Sequence, residues 1–146
     1  MKLELVTLAG PKLQADVYEV ILPTAEGSIA VYPQHMPLVT TIVPGVVTVR
    51  RSRTDSNDQL EVFASNGGVA EITKDSLRIL VDEADSAEDI VEEEVREALD
   101  RAHKLKAEAK DALELAQAET LIDRQAVRLK VAELRRHRPD RRPPIQ

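Results

Sequence analysis

The sequence contains no cysteine, and aromatic residues make up only 2% of it. The absence of cysteine excludes disulfide bonds, thiolate catalysis and cysteine-ligated zinc. With two tyrosines, one phenylalanine and no tryptophan, the core has to be built from Val, Ile, Leu and Ala. No apolar run approaches the roughly 20 residues that a membrane-spanning helix needs, so we expect no direct membrane insertion.

Positive charge is outnumbered, because 20 Lys and Arg stand against 26 Asp and Glu and give the 146-residue chain a formal net charge of -6. A chain without a basic face is poorly suited to neutralising phosphates, so we expect no nucleic-acid partner. The first five residues have the pattern of a strand and lack the apolar core of a signal peptide. We therefore expect a soluble chain, long enough for one small domain with an appendage.

Glycine and proline are missing from the second half. All five glycines lie before residue 69, and neither residue type occurs between Val69 and Arg138. The first half instead contains short runs rich in β-branched residues and bounded by turn formers, which indicates an antiparallel β-sandwich or barrel. The predicted strands are 3–8, 16–22, 46–50, 60–64 and 77–81, with a stop at Pro23 and a hairpin loop over 55–58.

Two apolar stripes at helical spacing follow the strands. Ser86 resembles a helix N-cap ahead of the first stripe, and Asp111 with Glu114 resembles a second helix start. The stripes are Val91, Val95, Ala98, Ala102, Leu105 and Ala109, then Leu115, Ala118, Ile122, Ala126, Leu129 and Ala132. They predict an antiparallel hairpin turning near 107–110, with one long helix as the alternative. Because alanine buries little apolar area, we expect this hairpin to be weakly held.

The segment 26–38 carries a family signature. Its residues and those just beyond it, Gly27, Pro33, His35, Pro37, Leu38, Pro44 and Gly45, are in register with the signature of the ATP synthase epsilon family. A second mark, Asn66-Gly67-Gly68 followed by a short strand, and the helical C-terminal half also resemble that family. The resemblance covers about residues 3–134. Ala30 and Gln34 replace small residues or glycine, so we expect local backbone angles to differ there.

The resemblance implies a non-catalytic central-stalk subunit of a proton-translocating ATP synthase, with no cofactor and no metal. The sandwich, over 1–85, would contact the gamma subunit and the membrane rotor ring. The hairpin, over 86–134, would reach the alpha/beta catalytic head and inhibit ATP hydrolysis. Such a subunit is peripheral at the cytoplasmic face of a bacterial plasma membrane, with the plastid thylakoid as the alternative.

Four residues are the candidates for specific roles. The resemblance assigns Ser28 and His35 to the ring-contacting surface, which we expect to be an exposed loop; a histidine that only bonds a backbone carbonyl is the alternative. Arg124 and Arg128 match two arginines that hold a regulatory ATP in some bacterial relatives. The remainder of that motif is replaced by 90–95, with Val91 for an aspartate and Glu94 for an arginine. Surface arginines that face solvent or acidic partners are therefore the favoured interpretation.

Two charged segments remain. An acidic run extends over 82–97, and helical spacing favours a solvated face over a metal or catalytic site. Residues 135–146 contain five arginines and three prolines, which predicts a flexible basic tail that either contacts the catalytic head or has no role.

Outside the resemblance, two alternative functions remain: a small-ligand-binding β-sandwich module with a helical oligomerisation tail, and a coiled-coil adaptor. The first lacks a general base or phosphate loop, and the second has stripes of only about three heptads.

Overall fold

In the computed structural model, residues 1–136 are described, and they form ten strands, two α-helices and two short 3-10 turns. The strands are β1 Lys2–Thr7, β2 Gly10–Asp16, β3 Glu19–Thr24, β4 Gly27–Val31, β5 Leu38–Ile42, β6 Gly45–Arg50, β7 Glu61–Ser65, β8 Gly68–Ile72, β9 Ser76–Val81 and β10 Ala84–Ser86. The helices are α1 Glu92–Ala107 and α2 Ala112–Arg136. The predicted order of strands followed by two helices is confirmed.

The strands form two five-stranded sheets. The first sheet has the order β2-β1-β9-β8-β5, and the second has the order β10-β7-β6-β3-β4. The strand pairs are antiparallel except β1 with β9, which is parallel and places Leu3 opposite Leu77. The antiparallel sandwich is confirmed, with this one parallel pair inside it. β1 and β9 belong to different hairpins, so no tight turn forces them to run in opposite directions.

The core lies between the two sheets and is aliphatic, as predicted. β1 and β9 contribute Leu3, Leu5, Leu77 and Ile79, which are buried. The second sheet contributes valines, one leucine and the chain's only phenylalanine, Phe63. Alternate residues of each strand point into this space, because successive side chains of a strand point to opposite faces.

β7 departs from that alternation because it is covered on both faces. Phe63 points into the core between the sheets. Val62 and Ala64 point the other way, into a second apolar cluster beneath the helices. That cluster is completed by Ala87 and Ile90 before α1, Val95 of α1, and Val131 and Ala132 of α2. The helices therefore pack on the outer face of the second sheet.

The predicted strand over 16–22 is in fact two strands. β2 ends at Asp16, the chain turns through Val17 and Tyr18, and β3 begins at Glu19. Pro23 lies inside β3 and does not end it. The pairing of β3 with β6 stops at Ile21, so a residue without an N–H is tolerated beyond that point.

Gly67 precedes β8 and Gly68 begins it, and both positions are tightly constrained. Gly67 has a φ of +97°, which favours glycine. A Cβ on Gly68 would lie 2.0 Å from the carbonyl oxygen of Leu80 and 2.9 Å from the Cα of Val81, its partner on β9. Both obstacles are backbone atoms, so side-chain rotation cannot relieve the overlap.

Gly68→Ala is therefore expected to lower the free energy of unfolding by about 2–3 kcal/mol, since the β8–β9 ladder has to separate. Urea denaturation of the isolated chain measures this loss. Gly27→Ala is the matched control, because Gly27 has a φ of +119° and no atom within 4 Å of its Cβ position. It should cost only the conformational strain, about 1 kcal/mol. Equal losses in the two variants would contradict the backbone-overlap argument.

The first helix begins later than predicted. Ser86 Oγ donates to Asp89 Oδ2 at 2.7 Å within a 3-10 turn over Ala87–Asp89, and α1 starts at Glu92. Three glutamates occupy its first turn, where negative charge suits the helix dipole. Ser86 as the N-cap of the first helix is therefore wrong.

The hairpin itself is confirmed. Asp111 Oδ1 accepts the Glu114 N–H at 2.8 Å, and the Glu114 carboxylate accepts the Lys110 N–H at 2.8 Å, which starts α2 without glycine or proline. Arg136 pairs with Glu92 at 3.1 Å, joining the end of α2 to the start of α1. The helices are therefore antiparallel.

The predicted stripes identify only part of the buried helix surface. Val95, Ala102, Ala118 and Ala132 are buried as expected. Val91 and Leu105 are more than half exposed, Ala126 is exposed, and Gln125 and Val131 are buried instead. The buried face of α2 is rotated because it has to meet both α1 and the second sheet.

Two boundaries differ from the predicted segments. β10 continues through Ser86, and Ala87 and Ile90 are buried against the second sheet, so the sandwich contacts extend past residue 85. α2 continues through Arg136. The remainder of the predicted basic tail, 137–146, lies outside the described residues.

Candidate functional site

The segment that joins β4 to β5 crosses from the second sheet to the first. It is held by backbone hydrogen bonds from Gln34 N–H to the Lys74 carbonyl at 2.8 Å and from His35 N–H to the Tyr32 carbonyl at 3.1 Å. Through Nδ1, the half-buried His35 ring donates to the Met36 carbonyl at 2.7 Å. This is the carbonyl bond of the alternative interpretation, and it gives the histidine a fixed orientation at the surface.

The residues around His35 form an exposed apolar segment. Its members, Tyr32, Met36, Leu38 and Val39, are between 41% and 72% exposed. β4 and β5 are the edge strands of their sheets on this side of the sandwich. Four large apolar side chains within eight residues, beside two unpaired strand edges, form a patch of the kind that protein partners cover. We call residues 32–39 the edge patch.

Ser28 lies elsewhere on β4. It is exposed and pairs with Pro23 next to the β3–β4 turn, whereas Val31 at the other end of β4 pairs with Val20. Ser28 and Val31 are about 10 Å apart along the strand, and His35 lies beyond Val31. Ser28 is therefore in an edge strand rather than the expected loop, near the start of β4, whereas His35 lies beyond the end of that strand.

A polar network fixes the beginning of the edge patch. The Tyr32 hydroxyl donates to Glu19, and Arg50 Nε donates to Glu19 Oε2 at 2.8 Å. These bonds lower the pKa of the Glu19 carboxyl, the tyrosine contributing most. The Tyr18 and Tyr32 rings also pack edge to face, with centroids 5.6 Å apart. Neither feature was predicted, because the partners are 13 to 31 residues apart.

One departure from the family signature is visible in the backbone. Gln34 has a φ of +69°, a conformation that glycine adopts most easily and that costs other residues about 1–2 kcal/mol. A glycine at this position would adopt the same φ without that cost. Ala30 is an ordinary exposed residue of β4, opposite Ile21.

Arg124 and Arg128 are partly buried and face acidic partners. Arg124 Nη2 forms an ion pair with Glu83, and Arg128 Nε lies 3.0 Å from Asp85 Oδ2. Their acidic partners are in this chain, at the edge of the sandwich. Val91 is 54% exposed and Glu94 is also exposed. The arginines of the suspected nucleotide site are thus already occupied by carboxylates.

The acidic run is only partly a solvated face. Glu83, Asp85, Asp89 and Glu92 each form an ion pair, Asp89 with Lys12 at 2.7 Å. Lys12 contributes most to a lowered pKa of Asp89. Across residues 1–136, no three His, Asp or Glu side chains are grouped so that they could hold a metal ion.

The small-ligand interpretation finds little support in surface shape. A groove of about 270 Å³ on the first sheet is lined by Lys2, Glu4, Glu71 and Arg78, among others. Arg78 Nε is 2.9 Å from Glu4 Oε2, so these two charges of the groove already satisfy each other. None of the helices within 1–136 is both long and apolar enough to cross a bilayer.

Comparison with known proteins places these features in a family. Residues 1–87 match the model of the ATP synthase, Delta/Epsilon chain, beta-sandwich domain. An ATP synthase epsilon chain of Moorella thermoacetica is 37% identical over 132 residues, which is 90% of this chain and 96% of that relative. One of Herpetosiphon aurantiacus is 33% identical over 138 residues, covering 94% and 98%.

Solved structures show the same fold. A chain of the Euglena gracilis mitochondrial ATP synthase, in a structure of OSCP, F1 and the c-ring, has a TM-score of 0.76 at 24% identity, covering 90% of this chain and 79% of that one. A chain of the Tetrahymena thermophila mitochondrial ATP synthase central stalk and c-ring has a TM-score of 0.58 at 16% identity, covering 90% and 96%.

With its two-sheet sandwich and docked helical hairpin, this chain is thus a protein of the delta/epsilon sandwich class. More narrowly, the chain belongs to the ATP synthase epsilon-chain family. It is a subunit of that complex, as the resemblance implied.

Proposed function

We propose that this chain is a non-catalytic central-stalk subunit that couples rotation of the membrane rotor ring to ATP synthesis in the alpha/beta head. The sandwich binds the gamma subunit and the ring, and α1 and α2 restrain ATP hydrolysis. The edge patch carries this proposal. It is an exposed apolar surface with a fixed backbone, on a chain of the epsilon family.

Rigidity is what a coupling element needs from that surface. A contact transmits torque only if it does not deform, and residues 32–35 are held to β3 by Glu19 and to the β8–β9 turn by Lys74. The chain would act at a membrane without entering it, as a peripheral subunit at the cytoplasmic face of a bacterial plasma membrane.

The tagged chain is expected to co-purify from its native membranes with the gamma, alpha and beta subunits in stoichiometric amounts. The isolated chain should hydrolyse no nucleotide, because residues 1–136 contain no metal-ligand cluster and Arg124 and Arg128 face carboxylates. Co-purification is measured by quantitative mass spectrometry, with Val39→Asp in the edge patch as the weakened variant. Steady turnover of ATP by the isolated chain would overturn the proposal.

A further inference from the structure

Two basic side chains of α2 meet two carboxylates on one edge of the sandwich. Arg124 contacts Glu83 in the β9–β10 turn, and Arg128 contacts Asp85 in β10. The side chains of the second pair are 26% and 30% exposed, those of the first 35% and 43%. Both pairs are partly shielded from water, so they are less screened than pairs on an open surface.

The acidic side of this contact is held in place before the helix arrives. Asn66 Nδ2 donates to Glu83 Oε2 at 3.1 Å, and the Asn66 N–H bonds to the Glu83 carbonyl at 3.4 Å. Asp85 lies in β10, which pairs with β7. Fixed carboxylates lose less conformational freedom when an arginine binds them.

The spacing of the two pairs is matched. Residues four apart on a helix are separated by about 6 Å along its axis. Residues two apart on an extended chain are separated by about 6.6 Å. Arg124 and Arg128 therefore fit Glu83 and Asp85 together, with the two segments running in the same direction. One step further, Ala132 and Ala87 are both buried in the apolar cluster beneath the helices.

A shift of α2 by one turn would remove one of the pairs. In one direction, Arg128 would face Glu83 and Ala132 would face Asp85, leaving a carboxylate beside a methyl group. In the other direction, Thr120 would face Glu83. The apolar contacts of α2 with the sandwich are mainly valine and alanine side chains, which distinguish these positions weakly. The charges provide the discrimination.

We propose that the Arg124–Glu83 and Arg128–Asp85 pairs form an electrostatic clamp that holds α2 docked on the β10 edge, with no bound ligand required. Arg135 strengthens it by donating from Nη1 to the Ala87 carbonyl at 3.2 Å. The clamp is a property of the isolated chain. Only its consequence rests on the proposed function. In the assembled complex, the clamp sets how often the hairpin is free to act on the catalytic head.

Amide hydrogen exchange of the isolated full-length chain tests the clamp. Arg124→Glu and Glu83→Arg are each expected to raise the exchange rates of α2 amides over 120–132 about tenfold, because each change replaces attraction with repulsion. The double variant should return the rates to within about threefold of the parent, because the pair is restored with its charges exchanged. Arg101→Glu, on an exposed position of α1, is the matched control and should have no such effect.

The β1 and β9 amides serve as an internal reference for the sandwich. If Glu83→Arg also raises the exchange rates of the β1 and β9 amides, the result for Arg124→Glu alone decides the test, because that change is confined to the helix. The changes Asp85→Asn and Arg128→Gln, made singly and together, provide an independent double-mutant cycle. The clamp is overturned if Arg124→Glu exchanges like Arg101→Glu, or if the effects of the paired changes simply multiply.

A separate measurement addresses the consequence. Glu83→Gln with Asp85→Asn frees α2 while leaving its arginines intact, and in the assembled complex it should lower ATP hydrolysis about two- to fivefold. If α2 exchange rises but hydrolysis does not change, the clamp stands and the inhibitory role of the hairpin is what fails.

Discussion

Ending the chain after Ile90 is expected to raise ATP hydrolysis by the assembled ATP synthase about two- to fivefold while proton-driven synthesis continues. This size of effect corresponds to docked and extended hairpin states within about 1 kcal/mol of each other. The cut belongs after Ile90 because β10 pairs with β7 through Ser86, and Ala87 and Ile90 are buried. The remaining residues keep the whole inter-sheet core.

Truncation after Arg136 is the matched control, because it keeps both helices and removes only the segment beyond them. It should leave hydrolysis close to that of the full chain. Hydrolysis and synthesis are measured on the same membrane vesicles, and complex assembly is checked by subunit stoichiometry. Unchanged hydrolysis in the assembled 1–90 variant would contradict the proposed inhibitory role of the helices. Failure of residues 1–90 to fold would refute the proposed division into sandwich and hairpin.

Replacing His35 by glutamate is expected to reduce proton-driven ATP synthesis about tenfold with little effect on the fold. His35 stands in the edge patch, and a charge placed in an apolar contact costs about 1–2 kcal/mol or more of binding energy. Ser28→Arg should act in the same direction at the other end of β4. Because Ser28 is near the start of β4 and His35 lies beyond its end, the variants are tested singly before they are combined.

Gln14 provides the matched control for both changes. It is an exposed residue of β2, the edge strand at the opposite side of the first sheet from β5. Gln14→Glu and Gln14→Arg introduce the same charges away from the edge patch, and exposed changes of this kind usually alter stability by no more than about 0.5 kcal/mol. If the Gln14 variants reduce synthesis as much as His35→Glu and Ser28→Arg do, the loss reflects net charge, and the proposed ring contact is contradicted.

Local patterns predicted most of the fold because the first half follows strand periodicity and the second half follows helix periodicity. Prediction failed where a neighbour from elsewhere in the chain changed the local preference. β7 is buried on both faces because the helices cover its outer face. Val62 and Phe63 are therefore both buried, and burial does not alternate along this strand. Ser86 has the form of a helix cap, but it stands at the start of a 3-10 turn because β10 still pairs with β7 at that residue.

The candidate site was harder to predict for the same reason. The i, i+4 spacing of Arg124 and Arg128 is visible in the sequence, and so is the i, i+2 spacing of Glu83 and Asp85. Nothing local connects two motifs about forty residues apart. The matching of a helix turn to two strand residues becomes informative only once the hairpin is known to fold back. The edge patch was partly found through His35, but the exposure of Met36 and Val39 required the fold.

The parallel pairing of β1 with β9 sets an order of events during synthesis of the chain. β1 can pair with β2 as soon as residue 16 is made, but its other partner, β9, is made more than seventy residues later, and the Lys2 N–H likewise donates to the distant Asp75 carbonyl. Such distant pairing is slow to form, and domains fold largely as their last required segment emerges. We therefore expect the first sheet to remain open until residue 81 has left the ribosome. The hairpin, synthesised afterwards, then meets a finished surface on which Glu83 and Asp85 are already in place.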